Sequence, residues 1–312
     1  MKRLLILISI ALLAVLLLMM IKNEYARFLP SAGYGMSEII QKKKIDYLFL
    51  GASTFRRGLD IEELEKLPGN TYILSYNGNQ PITMYMTLEY LLNQGVTFDH
   101  LFIDFYPYTA AAKPALSDTT LLLDTNLSFK LDLWESLSHE EAASLQDFQK
   151  RLTTFYELFI SSNNATILWW PIHQKVNRSR NRHGGLRNMQ KDHGRTTDDL
   201  EKLKVFGKRD GMQPSQIEAY QKIVELAQQN HIQLYFLEIP KYHKLYHDPD
   251  YQDFSKQILT SLTDSSAYQI ILANQIPLDQ HDSDYFNDLV HLSGFGAHTY
   301  TKMLVERLRN EQ

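Results

Sequence analysis

A chain of 312 residues, 44% hydrophobic and 12% aromatic, carries enough apolar surface for one large domain or two ordinary ones. Its net charge of −4 gives no footing for nucleic-acid binding. The absence of cysteine excludes disulfides, zinc–thiolate sites, thiol catalysis and a lipid-modified N-terminal cysteine, and is compatible with export.

Met1-Lys2-Arg3 precedes Leu4 to Ile21, an 18-residue apolar run whose only polar member is Ser9. As a helix this run spans roughly 27 Å, close to the hydrocarbon thickness of a bilayer. A cleavable signal has a shorter apolar region and a small-residue cleavage site, and Met19-Met20-Ile21-Lys22 offers none. Residues 1–22 therefore read as an uncleaved signal anchor, with Lys2 and Arg3 in the cytoplasm and the bulk of the chain outside it. Residues 23–44 read as a juxtamembrane linker, broken by Leu29-Pro30, Gly33 and Gly35. Lys22, Arg27 and Lys42 to Lys44 are suited to headgroup contact.

From Ile45 onward, short apolar runs alternate with amphipathic segments, which predicts an α/β domain over residues 45–312. Tyr47 to Leu50 is the first expected strand, ending in the small-residue turn Gly51-Ala52-Ser53. A short helix over Asp60 to Leu67 leads to a second strand, Tyr72 to Ser75, and then to the turn Tyr76-Asn77-Gly78-Asn79-Gln80-Pro81. Thr83 to Asn93 is a helix with Gly95 beyond its end, and His100 to Phe105 is a third strand. Residues 109–211 break this rhythm and read as an insertion, with a capping box at Ser138 to Glu141 opening a helix past Phe148. A second capping box, Ser215 to Glu218, opens a helix to about Gln228. Strands follow at Ile232 to Ile239 and Tyr268 to Leu272, with a helix over Phe254 to Leu262 between them. An acidic loop, Asp279 to Asp288, precedes the final amphipathic helix Gly294 to Arg309.

Ligands of open α/β sheets sit beyond the carboxyl ends of the strands, so Ser53, just past the first strand, occupies a position suited to a nucleophile. The same serine reads equally as an N-cap. Acyl transfer by serine needs a base for its proton and a carboxylate to fix that base's tautomer. Asp288-Leu289-Val290-His291, on the loop entering the last helix, brings both groups on one turn.

Ser53 after the first strand, an Asn/Gly turn after the second and Asp-x-x-His before the last helix occur in this order. That combination resembles the SGNH (GDSL-like) hydrolase superfamily, and within it the membrane-anchored, extracytoplasmic branch that includes the teichoic-acid D-alanylation and alginate O-acetylation proteins. The likeness covers roughly Ile45 to Phe105 and Ser215 to Leu308. It implies a three-layer α/β/α sandwich with a flavodoxin-like parallel sheet, Ser53 as nucleophile, His291 as general base and Asp288 as its orienting acid. It also implies an oxyanion hole from the Ser53 N–H and either Gly78 or Asn79. The implied activity is O-acyl transfer or acyl-ester cleavage on a cell-envelope polysaccharide or teichoic acid, with no cofactor or metal, alongside a multi-pass membrane acyltransferase. Two departures stand out: Ala52 replaces the acid of Gly-Asp-Ser, and Asp104-Phe105-Tyr106-Pro107 stands where the family carries Gly-x-Asn-Asp. A degenerate, non-catalytic scaffold of envelope-polymer assembly is the competing expectation.

Other signals have plainer readings. The segment His173 to Arg195 holds Lys175, Arg178, Arg180, Arg182, Arg187, Lys191 and Arg195, and reads as a solvated loop or as a contact for anionic polymer or headgroups. Trp169-Trp170 reads as core or membrane interface. Asp279 to Asp284 lacks the spacing and glycine of a calcium loop. His298, inside the last helix, is an alternative base with a sufficient role on the polar face.

Overall fold

The computed structural model describes residues 36–118, 121–122, 125–138, 189–205, 211–262 and 266–311, with positions 6, 9, 10, 13, 14 and 17 of the N-terminal run. The chain divides into two compact units, one of residues 1–31 and 119–178, the other of 32–118 and 179–312. The expected insertion is thus split, its 119–178 portion belonging to the first unit and its described 189–205 portion to the second.

In the first unit, Ile6, Ser9, Ile10, Leu13, Ala14 and Leu17 are helical and exposed. Among the described residues no helix is long and apolar enough to cross a membrane. Leu127–Ser138 is a helix that sequence periodicity left unassigned. The helix expected beyond Ser138, Trp169-Trp170 and the basic segment up to residue 188 lie outside the described residues.

The second unit is an α/β fold built on five parallel strands: β1 (Lys44–Gly51), β2 (Thr71–Ser75), β3 (Thr97–Asp104), β4 (Gln233–Leu237) and β5 (Tyr268–Ile271). Their order, β2-β1-β3-β4-β5, is that of flavodoxin-like sheets, with the switch point between β1 and β3. β1 and β3 begin three residues earlier than their apolar runs, because Lys44 pairs with Asp46 at 3.3 Å and with Asp99 at 2.9 Å along the sheet's amino edge.

Alternation along the strands gives each face its own covering. Phe49, Phe102 and Tyr235 stack side by side across β1, β3 and β4, with ring centroids 4.3 and 4.4 Å apart. They are buried in one core with residues of the helices Ser53–Gly58, Pro249–Ser261 and Gly294–Asn310. The opposite face buries Leu48, Leu50, Leu101, Ile103 and Phe236, and Tyr220 of the helix Pro214–Gln229 meets Phe236 edge-on at 5.6 Å. Pro81–Asn93 packs beside Pro214–Gln229.

Three local readings are corrected. The Ser215 capping box does not form: Pro214 takes the first helical position, Gln213 becomes the N-cap, and the Ser215 hydroxyl is buried inside the first turn with no hydrogen-bond partner. The helix expected over Phe254 to Leu262 begins earlier, at Pro249, since the Asp248 carboxylate accepts from the N–H groups of Asp250 and Tyr251 as its N-cap. The helix expected over Asp60 to Leu67 contracts to Ile61–Leu64, with Asp60 as its N-cap.

Candidate active site

At the carboxyl end of β1 the chain turns at Ala52, in extended conformation, and enters a short helix, Ser53–Gly58, that sequence patterning left as a turn. Ser53 is therefore its first helical residue, one place beyond the N-cap. Two hydrogen bonds to Asp104, at the end of neighbouring β3, fix this turn. Its Oδ2 accepts from the Ala52 N–H at 2.9 Å and from the Thr54 hydroxyl, flanking Ser53 on both sides. On the other side, the Gly51 carbonyl accepts from the Tyr76 N–H at 3.1 Å and from Asn79 Nδ2 at 3.2 Å. Each neighbour of β1 thus contributes a brace to the turn.

The second half of the site comes from the loop before the last helix. An antiparallel bridge joins Phe286 to Leu292, and the Asn287 N–H donates to the His291 carbonyl at 3.0 Å. Leu289 and Val290 are buried, which turns the flanking Asp288 and His291 toward the strand ends. Ser293 closes the loop as N-cap, accepting from the Gly296 N–H at 3.0 Å and donating to the Asp284 carbonyl at 2.8 Å. The chain leaving β4 also braces the loop, the Tyr242 N–H donating to the Leu289 carbonyl at 3.2 Å.

These two halves meet. Asp288 Oδ1 accepts the backbone N–H groups of Val290 and His291, both at 2.8 Å. His291 Nδ1 lies 2.9 Å from Asp288 Oδ2 and 3.1 Å from Oδ1. A carboxylate only accepts, so Nδ1 carries the proton, and Nε2 of the neutral ring is left to accept from the Ser53 hydroxyl at 2.8 Å. Burial favours the neutral form of Asp288. The His291 hydrogen bond and charge and the two backbone donors outweigh it and hold the carboxyl at about 2.

A stability consequence follows, and its sign is fixed. The folded value lies below the ordinary 3.8, so this carboxylate's contribution is full above pH 3.8 and is lost as pH falls towards 2. With a third of the side chain exposed, the contribution is roughly 1–2 kcal/mol. Denaturant titrations of the wild-type chain and Asp288→Asn are expected to differ by a roughly constant amount at neutral pH and to converge below pH 3.8. A gap that stays unchanged down to pH 2 would contradict the assignment.

The other sequence candidates fall as follows. Asn79 is buried, its N–H donating to the Tyr76 carbonyl at 3.1 Å and its side-chain oxygen accepting from Thr83, so it braces the turn. Gly78, at φ +63, stands on the exposed side of the same turn. His298 is only partly exposed, and its Nδ1 lies 2.9 Å from the buried Asp60 carboxylate, which fastens the last helix to Ile61–Leu64. The described end of the basic segment is bound to the loop that carries Asp288 and His291. The Gly194 and Arg195 N–H groups donate to the Asp284 and Phe286 carbonyls at 2.8 and 2.9 Å, and His193 Nδ1 lies 2.9 Å from Asp284.

Sequence reasoning missed two groups. Asp104, which in sequence only stands where the resemblance calls for Gly-x-Asn-Asp, is an acceptor that clamps the Ser53 turn. Lys241, fully buried, had no signal beyond following Pro240 at the end of a strand. A cleft of about 410 Å³ opens beyond β4 and β5, lined by Glu238, Tyr246, Gln252, Leu259, Leu272 and Asn274 among others. No protein-family model matches the chain, and no curated protein matches it.

Proposed function

We propose that the chain is an SGNH-like serine enzyme that transfers or hydrolyses O-acyl groups on a cell-envelope polysaccharide or teichoic acid through an acyl-serine intermediate. The single observation that carries this reading is the continuous Ser53–His291–Asp288 hydrogen-bond relay, with its 2.8 and 2.9 Å contacts. A non-catalytic scaffold has no need for a hydroxyl held against an oriented imidazole.

In the first step Ser53 Oγ attacks the acyl carbonyl while its proton passes to His291 Nε2. Asp288 stabilises the imidazolium without taking the proton. The Ser53 N–H, with that of Gly78, would receive the developing oxyanion. Collapse breaks the acyl bond, and His291 returns the proton to the leaving group. In the second step His291 deprotonates a hydroxyl of the polymer, or a water, which attacks the acyl-serine; the bond from the acyl carbon to Ser53 Oγ then breaks and His291 returns the proton to Ser53.

The same reading makes Leu4 to Ile21 a membrane anchor with the α/β domain outside the cytoplasm. Ile6, Ile10, Leu13 and Leu17 are each more than half exposed and share one helical face, as suits an apolar solvent. A multi-pass membrane acyltransferase is the partner that would deliver the acyl group.

The test is covalent capture. Incubating the purified chain with p-nitrophenyl acetate and with a fluorophosphonate, followed by peptide mass spectrometry, is expected to place one adduct on Ser53. Ser53→Ala should take up none. A wild-type chain that stays unmodified, or a Ser53→Ala chain modified equally, would overturn the proposal.

A further inference from the structure

Beneath the candidate site lies a buried cation that the relay does not use. Lys241 follows β4 by four residues and is wholly buried, an unusual position for an ammonium. Its Nζ donates to the Ile239 carbonyl at 2.9 Å and sits 5.0 Å from the centre of the Tyr106 ring. One carbonyl and one ring face leave one of its three protons to be accounted for.

Two buried carboxylates lie in the same buried region, Asp104 two residues before Tyr106 and Glu238 one residue before Ile239, and they differ in what they already hold. Glu238 has both oxygens engaged, one accepting from the Tyr251 hydroxyl at 2.7 Å and the other from the Ala273 N–H at 3.0 Å. Asp104 has one oxygen engaged with the Ala52 N–H and the Thr54 hydroxyl, while its Oδ1 is buried with no hydrogen-bond partner. An unpaired buried carboxylate is strongly disfavoured, so Asp104 needs a counter-charge close by. Burial pushes the Asp104 carboxyl up, and the Lys241 charge is the largest influence opposing it. Burial likewise lowers Lys241, to about 8, against the pull of Asp104, Glu238 and Asp288.

We infer that Lys241 is a positioning residue for the nucleophile: its ammonium is the counter-charge that keeps Asp104 an acceptor, and Asp104 holds the backbone on both sides of Ser53. The inference rests on the reading of Ser53 as a nucleophile for its functional meaning, but not for its structural content. Without the cation, Asp104 takes up a proton in its buried site, its grip on the Ala52 N–H weakens, and Ser53 drifts from His291 Nε2. Lys241 is also placed to act on both halves of the site. Its charge reaches Asp288, and its neighbour Tyr242 ties down the loop at Leu289.

The experiment uses Lys241→Met, Asp104→Asn and the double variant, all in the full chain, with Lys241→Gln if the methionine variant does not fold. Hydrogen exchange of the Ala52 amide reads the clamp directly, and the second-order rate of fluorophosphonate capture by Ser53 reads its consequence. Each single variant is expected to speed Ala52 exchange and to slow capture by about 10–100-fold. The double variant is expected to be no worse than the poorer single one, because both changes remove the same interaction. For an ester substrate, kcat should fall while KM holds. Multiplied losses in the double variant, or wild-type exchange in Lys241→Met, would overturn the inference. A wild-type chain that never labels, yet shows the expected exchange pattern, instead removes the acyl-serine reading and supports the positioning of the turn.

Discussion

Replacing His291 by alanine is expected to lower kcat for hydrolysis of an activated ester by about 10⁴–10⁶-fold, with little change in KM. The relay explains the size. Ser53 is a weak nucleophile as a neutral hydroxyl, and Nε2 at 2.8 Å is the acceptor that the hydrogen-bond geometry offers its proton. Asp288→Asn is expected to cost about 10⁴-fold for a separate reason. An amide would present its NH₂ or its carbonyl to Nδ1, and the NH₂ would favour the tautomer with Nε2 protonated. That tautomer cannot accept from Ser53. The two variants are therefore distinguishable: imidazole added to the buffer is expected to recover part of the activity of His291→Ala but not that of Asp288→Asn. Steady-state kinetics beside fluorophosphonate capture checks both, and a loss below tenfold in His291→Ala would show that the proton takes another route.

How far the sequence reveals this site depends on which interactions are local. Asp288 and His291 lie three residues apart on one loop, and Ser53 ends a strand of continuous apolar residues, so both halves could be read from short stretches. Their meeting spans 238 positions and was supported by resemblance and chain order alone. The parallel sheet was legible because its strands are buried on both faces. The starts of β1 and β3 were not, since Lys44, Asp46 and Asp99 satisfy one another across strands and look like loop residues singly. Asp104 and Lys241 show the sharper limit. A carboxylate at a strand end and a lysine after Pro240 have the composition of a surface, and tertiary burial alone turns them into buried charges. Residues 189–195 misled in the same way. Their basic side chains suggest a solvated loop, while the backbone N–H groups of Gly194 and Arg195, which carry no compositional signature, tie that stretch to the loop before the last helix.

Gly51→Ala is expected to lower kcat by about 10²-fold and to destabilise the chain by about 1–3 kcal/mol. A methyl group at residue 51 would stand 2.6 Å from the Asp104 Cβ and 2.7 Å from the Phe55 ring. Neither can retreat. Asp104 is fully buried and bonded to both flanks of Ser53, and the Phe55 ring is buried edge-on against Phe49 at 6.2 Å. Nor can residue 51 move the other way, because its carbonyl is held by Tyr76 and Asn79. The strain must then pass into Ala52 and Ser53, where a displacement of a few tenths of an ångström lengthens the contact with His291. Gly58→Ala provides the comparison, since its methyl would meet the end of the Ile239 side chain at 2.6 Å, five residues along the same helix. Similar loss of stability with far less loss of kcat is expected there. Equal loss of kcat in the two variants would mean that the helix is merely loosened. Unequal loss would mean that Gly51 is required because Asp104 must come close enough to hold Ser53 in place.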